Sequence, residues 1–361
     1  MVVLFHLSWP NPISELRLVK NGYLMVDFFF VLSGFVICQS YARRIAYAHD
    51  LRRFVLLRFG RIYPLHFAVL LAFLVLEVIK YAGLLSSGLV YRNGAPFAVN
   101  NGWSFLVNAL LLQPFGHFPI WTFNSVSWSI AVEFYAYLLF GFLVLWVRPL
   151  RRFFGVALLF TVLAGGILAW SGNAGLTTTE HTVQWSVFRC LMGFFLGTLM
   201  SATFDRWQPR ICGRSPALFG WTGGGTVALL AWKETGPSDF WVLPLFAVII
   251  LAAAALPEGP LRQALNSAPL RWLGRVSYSI YMLHAFVIIL LGRLVPVVLK
   301  VLQSGRSNEG MAWWRQSGSI GLLFLGLTLL VVLALAALTQ PLIEVRCQRW
   351  IKALVAKWLG P

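Results

Sequence analysis

Apolar residues along this chain come in long unbroken blocks, separated by short polar or basic stretches, with little of the spaced alternation of a soluble amphipathic fold. A helix needs about 20 apolar residues to cross about 30 Å of hydrocarbon. Blocks near that length lie at 24–41, 62–85, 128–147, 153–170, 185–203, 217–233, 240–256, 276–298 and 320–338. Met1 to Trp9 is apolar with no charged segment before it, which does not make a signal peptide. At about 13 Å of helix it reads as the second half of a first span. With that half-span the expectation is an all-α polytopic membrane protein of about ten transmembrane helices. The block Trp103 to Phe115 is too short to cross and reads as re-entrant or interfacial.

Composition agrees. The chain is 59% hydrophobic and 11% charged with mean hydropathy +0.75, so a soluble domain is excluded. The net charge of +17 suggests nucleic acid only until the apolar blocks are counted; it is better read as topology. Nineteen of the 29 lysines and arginines fall on one set of alternating connectors, at 43–61, 148–152, 206–214, 262–275 and 346–357. By the positive-inside rule that face is cytoplasmic, and the alternation works only if Trp103 to Phe115 does not cross. Trp9, Trp103, Trp170, Trp185, Trp241 and Trp313 stand near span ends, as an aromatic belt requires. The tail 345–358 mixes four cations with Trp350, Ile351, Leu354, Val355 and Trp358, the pattern of a surface-lying amphipathic helix. No linker, repeat or soluble domain interrupts the chain, so residues 1–361 read as one membrane domain.

The four cysteines at 38, 190, 212 and 347 have no metal-ligand or disulfide spacing, so no metal is expected. The chemistry lies in ionisable groups inside the apolar blocks, which are costly there. His6 either bridges helices or shuttles a proton. Asp27 either pairs with a cation of another span or bonds backbone at a helix start, and Ser33-Gly34 in its span permits close helix contact. Glu133 lies about a turn and a half into its span, below Asn124, Ser125 and Ser127, and needs a partner or a proton. Glu77 and Lys80 stand three apart near His66 and can satisfy each other. Arg189 and His284 serve equally as helix-linking groups or as functional ones. Arg58 and Arg61 are three apart, share a helix face, and can fork onto phosphate oxygens or form an ordinary basic flank.

Five segments together carry a resemblance: Leu4-Phe5-His6; Gly22 with Val26-Asp27-Phe28-Phe29-Phe30-Val31-Leu32-Ser33-Gly34-Phe35; Arg58-Phe59-Gly60-Arg61-Ile62-Tyr63-Pro64; Ser127-Trp128-Ser129 with Glu133-Phe134-Tyr135; and Gly274-Arg275-Val276-Ser277-Tyr278-Ser279 with Tyr281 and His284. In this order the chain resembles the acyltransferase-3 family of multi-span membrane O-acyltransferases. The resemblance implies a cytoplasmic acyl-CoA donor, commonly acetyl-CoA, and transfer to a hydroxyl of an envelope glycan, glycolipid or other acceptor, in the inner membrane. It implies His6 as the catalytic group and Arg58 and Arg61 as donor-binding. The family usually has an arginine about ten residues before that histidine, and this sequence starts too late to include it. No further domain follows the last span in this sequence, so the acceptor is expected to meet the membrane part itself. The full expectation assigns catalysis to His6, Glu133 and Asp27, the acyl-CoA contacts to Arg58, Arg61, Arg271 and Arg275, and the acceptor contacts to Asn124, Ser127, Arg189 and His284. A transporter or flippase of a lipid-linked sugar or small acid, with Asp27, Glu133 and His6 as a proton relay, is the competing class.

Overall fold

The computed structural model describes residues 1–7, 9–87, 95–115, 122–173, 185–234, 239–302 and 318–359. The helices in chain order are α1 Val2–Phe5, α2 Arg17–Lys20, α3 Met25–Tyr41, α4 Ala48–Ser87, α5 Gly102–Ala109, α6 Trp128–Trp146, α7 Leu150–Asn173, α8 Ser186–Ile211, α9 Ser215–Trp232, α10 Leu243–Ala254, α11 Pro260–Leu265, α12 Ala268–Leu302, α13 Gly318–Thr339 and α14 Arg346–Leu359. No strand occurs among the described residues, and seven helical stretches are long and apolar enough to cross a membrane by length and composition. The protein is an all-α polytopic membrane protein.

Four segments differ from the sequence expectation. The basic connector before the third span is helical: α4 starts at Ala48 and runs 40 residues, about 60 Å, with Pro64 inside it. Asp50 starts it by accepting the Ala46 and Tyr47 N–H groups, and Leu and Arg favour its continuation. The N-terminal half-span contributes one helical turn, α1. The expected span 240–256 forms the 12-residue α10, about 18 Å long and too short to cross alone. The tail is a helix as expected, but it packs Ile351 over Gly60 of α4 and buries Val355. A π-helical turn, Gln340–Val345, joins it to α13, where Pro341 offers no N–H to an α-helical ladder.

The segment 102–115 does not cross. Its helix α5 has eight residues, with Asn101 and Ser104 in a reciprocal capping box. Leu111 at φ 58° then ends the run. Of the proposed belt, Trp103 and Trp170 are exposed; Trp313 and the Trp241 side chain lie outside the described residues.

The apolar stretch Ser186–Trp232 makes two passes. Arg189 at its start pairs with Asp27 in the first turn of α3, and Asp205 near the end of α8 pairs with Arg43 just past α3. The chain turns at Cys212–Arg214, and α9 ends where Asn21 donates to the Leu230 and Lys233 carbonyls, just before α3. Helices α3 and α8 meet backbone to backbone. A Cβ built on Gly34 would lie 1.8 Å from the Phe194 carbonyl oxygen, and one on Gly197 would lie 1.9 Å from that of Val31. Only glycine admits this approach, the small-residue contact used between membrane helices. With one face committed to α8, α3 turns its other face toward α4, α6 and α12.

Candidate active site

Between those four helices lies a cavity of about 260 Å³. Helix α3 contributes an apolar wall that includes Phe29, Phe30, Val36 and Ile37, with Ser33 among them. Helix α4 contributes Arg58, Arg61 and Ile62, helix α6 Ser129, Glu133 and Tyr137, and helix α12 Ser277, Tyr278 and Tyr281. Ser129, Glu133 and Tyr137 follow at four-residue steps and therefore share one face of α6.

The arginine pair lies deeper than a flank at the membrane face. Leu51 and Phe54 of α4 already cover Gly141 in the second half of α6. Arg58, one turn further on, reaches the level of Glu133 and Tyr137. It donates to the Tyr41 hydroxyl at 2.9 Å and lies over that ring at 5.1 Å. Its Nε is buried and has no hydrogen-bond partner among the described residues. Arg61 is exposed, and both guanidinium groups act electrostatically on Glu133. Glu133 accepts from the Tyr137 hydroxyl at 2.6 Å, and Tyr137 meets Ser33 Oγ at 2.9 Å, which ties α6 to α3.

His6 does not line the cavity; it stands one layer behind it. Its Nδ1 lies 2.9 Å from the Val2 carbonyl oxygen and 3.4 Å from His284 Nε2. His284 Nδ1 in turn lies 2.5 Å from the Tyr281 carbonyl oxygen. Tyr281 belongs to the wall, where its hydroxyl donates to the Val126 carbonyl at 2.9 Å and meets Ser129 Oγ at 2.6 Å. Residues 6 and 284, 278 positions apart, thus form one imidazole pair.

Asp27 and Arg189 are placed together and away from the cavity lining. Arg189 forks onto the carboxylate at 3.2 Å and 2.6 Å, both groups are fully buried, and the guanidinium lies over Trp128 at 5.3 Å. Asn124 donates to the Met282 carbonyl at 3.0 Å, and Ser127 donates to the Asn124 carbonyl at 2.7 Å while accepting from Gln113. These two residues fasten the start of α6 to α12 rather than line the cavity. Arg271 and Arg275 are exposed on α12, just before its lining residues Ser277 and Tyr278. Glu77 and Lys80 pair with each other as their spacing suggests, and Asn100 and the Phe97 N–H also serve Glu77.

Sequence reasoning missed Ser33, Ser129, Tyr137 and Tyr281 as wall residues. The i, i+4, i+8 spacing of Ser129, Glu133 and Tyr137 was one available signal, and Ser33 and Tyr281 stand in the segments that carry the family resemblance; what the sequence lacked was the helix packing that brings them to one wall.

Comparison with known proteins identifies the family of the chain. A family model described as an acyltransferase domain, Acyl_transf_3, matches residues 1–340. Among curated relatives, the acyltransferase MdmB of Streptomyces mycarofaciens is 28% identical, over 92% of this chain and 83% of its own length. The peptidoglycan O-acetyltransferase OatA of Listeria monocytogenes is 25% identical over 78% of this chain and 46% of its own. The O-acetyltransferase OatA of Staphylococcus aureus is 24% identical over 80% and 48%. The chain therefore spans about half the length of the OatA relatives it matches. No solved structure matches. With its family match running through every wall of the cavity, the chain belongs to the acyltransferase-3 family of acyltransferases.

Proposed function

We propose that this chain is a membrane O-acyltransferase that moves an acyl group, expected to be acetyl, from cytoplasmic acyl-CoA to a hydroxyl of an envelope glycan. The observation that carries the reading is a single cavity with the arginine pair in one wall and, through Tyr281, the His6–His284 pair behind another. The relatives named as peptidoglycan and O-acetyltransferases support the glycan acceptor and the acetyl group. The basic connectors support an inner-membrane orientation with the donor side cytoplasmic.

In this reading the donor's phosphates meet Arg58 and Arg61, whose planar forks suit phosphate oxygens, and Arg271 and Arg275 extend the cation set outward. A cavity of about 260 Å³ is below the roughly 300–1,000 Å³ usual for a drug-sized ligand. The pantetheine arm and acyl group therefore enter while the nucleotide stays on the basic side. Glu133 balances the guanidinium charge between turnovers and is the second proton-handling group.

In this reading the imidazole pair carries one set of tautomers. His284 gives its Nδ1–H to the Tyr281 carbonyl, so its Nε2 faces His6 as a lone pair. His6 then carries its proton on Nδ1, shared between the Val2 carbonyl and His284, which leaves His6 Nε2 free as a base. For this step the two substrates have to reach past the Tyr281 wall to His6, where the acceptor oxygen attacks the thioester carbonyl carbon as Nε2 takes its proton. The carbon–sulfur bond then breaks, and the imidazolium returns the proton to the departing thiolate. Asp27 and Arg189 act by holding α3 in place, and Asn124 and Ser127 by holding α6 to α12.

The test is thiol release from acetyl-CoA by purified protein in vesicles. His6→Ala is expected to lower kcat by about 10²–10⁴-fold with acetyl-CoA still bound. A folded His6→Ala chain working at the wild-type rate sinks the assignment, and no thiol release with any acyl-CoA sinks the donor.

A further inference from the structure

The cavity is closed toward α8 but not on every side. Phe29 and Val36 both line it, yet they are 44% and 47% exposed. They are seven apart, so they stand on one rib of α3 two turns long. The same rib faces outward, since the buried residues of α3, among them Asp27, Val31, Gly34 and Phe35, turn toward α8 and α10. Both residues lie inside the 17-residue helix Met25–Tyr41, away from either end and at hydrocarbon depth. The opposite walls are α12, with Ser277, Tyr278 and Tyr281, and α4, with Arg61. An apolar wall of the chamber is thus also exposed on the outside of the same helix, at the depth where a bilayer would lie.

We propose that the acceptor reaches this chamber sideways from the membrane, past Phe29 and Val36, and that it is a glycan alcohol carried on a long apolar lipid tail. The inference rests on the acyl-transfer reading and narrows its acceptor. The tail stays in the lipid against the α3 rib. The head group alone enters, and its hydroxyl meets Ser129 and Tyr281 in front of the imidazole pair. A water-borne sugar has no favourable route across the same rib, because its polar groups would cross hydrocarbon unpaired. The cationic side is left to the donor, so the two substrates arrive from perpendicular directions and do not obstruct each other.

The experiment uses the full chain in phosphatidylcholine vesicles with radiolabelled acetyl-CoA and two glucosides with one head group, methyl and dodecyl. Acetylation of the dodecyl glucoside is expected to be roughly tenfold faster or more, since only the tailed form concentrates at the mouth. Val36→Trp narrows the mouth and is expected to slow the dodecyl reaction with acetyl-CoA binding unchanged. Equal rates on the two glucosides overturn the lateral route, and so does a folded Val36→Trp chain that acetylates the dodecyl form like wild type. Cleavage of acetyl-CoA without acetylation of either glucoside overturns it too.

The mouth is also read without chemistry. A nitroxide on Val36→Cys, with Cys212 and Cys347 replaced by serine, is expected to be relaxed more by lipid-soluble oxygen than by a water-soluble nickel chelate. The reverse order overturns the inference. If acetyl-CoA is never cleaved while oxygen dominates at Val36, the acyl-transfer reading falls and the bilayer mouth stands.

Discussion

Asp27 and Arg189 illustrate how a residue's type can be read before its role. An aspartate in an apolar block needs a partner, and the partner lies 162 positions away, forked onto it at 2.6 Å and 3.2 Å. Removing one member strands a buried charge, so Arg189→Ala is expected to cost about 3–5 kcal/mol. The double variant Asp27→Asn, Arg189→Gln should lose clearly less than the two single changes together, read as thermal unfolding in detergent. If Asp27 were a proton carrier instead, a folded Asp27→Asn chain would lose kcat out of proportion to its stability. Arg58 belongs to the other kind, with a buried Nε that lacks a partner and a wall position in the cavity. A planar fork is not replaced by an ammonium group. Arg58→Lys is therefore expected to raise KM for acetyl-CoA by about 10–100-fold, the equivalent of one charge-assisted hydrogen bond, with kcat nearly unchanged.

At the scale of elements, the contact between α3 and α8 decides where the cavity can be. Gly34 and Gly197 let the two backbones touch, and each added methyl would strike a carbonyl oxygen rather than a flexible side chain. Gly34→Ala or Gly197→Ala must push the helices apart, at about 1–3 kcal/mol or more, and shift the wall that carries Phe29 and Ser33. Gly60 is a contrast, because its neighbour is the side chain of Ile351, which can move. Gly60→Ala is expected to cost less than either, and a thermal-shift series over the three positions checks the order. Close helix contact at Ser33-Gly34 was legible from the sequence. Its partner was not, since Gly193 and Gly197 of α8 look like any other glycines in an apolar run.

For the whole molecule, the cations on alternating connectors predict which segments share a side. Cys212, in the turn between α8 and α9, and Cys347, at the start of α14, are both partly exposed, and the alternation of cationic connectors predicts that both face the basic side. With that side cytoplasmic, a membrane-impermeant maleimide should label both in inside-out vesicles and neither in right-side-out ones. Labelling of one from each side would overturn the topology. Buried Cys38 and Cys190 should stay unlabelled in both. The family match and the arginine-lined cavity favour group transfer over the proton-coupled transport that the same buried acids also suggest.

Hydrophobic blocks and the position of charge determined, by sequence alone, that this is a helical membrane protein and which ionisable groups are costly enough to need explanation. Those are local properties, set by what each segment does in water or in lipid. The partners of these groups were decided only by tertiary packing. Asp27 pairs with Arg189, His6 with His284, and Glu133 shares a chamber with Arg58 and Arg61 because helices far apart in sequence cross at particular heights and rotations. A one-residue rotation of α3 on α8 would move Phe29 and Val36 off the mouth and Ser33 off Tyr137, while leaving every hydrophobic block as it was.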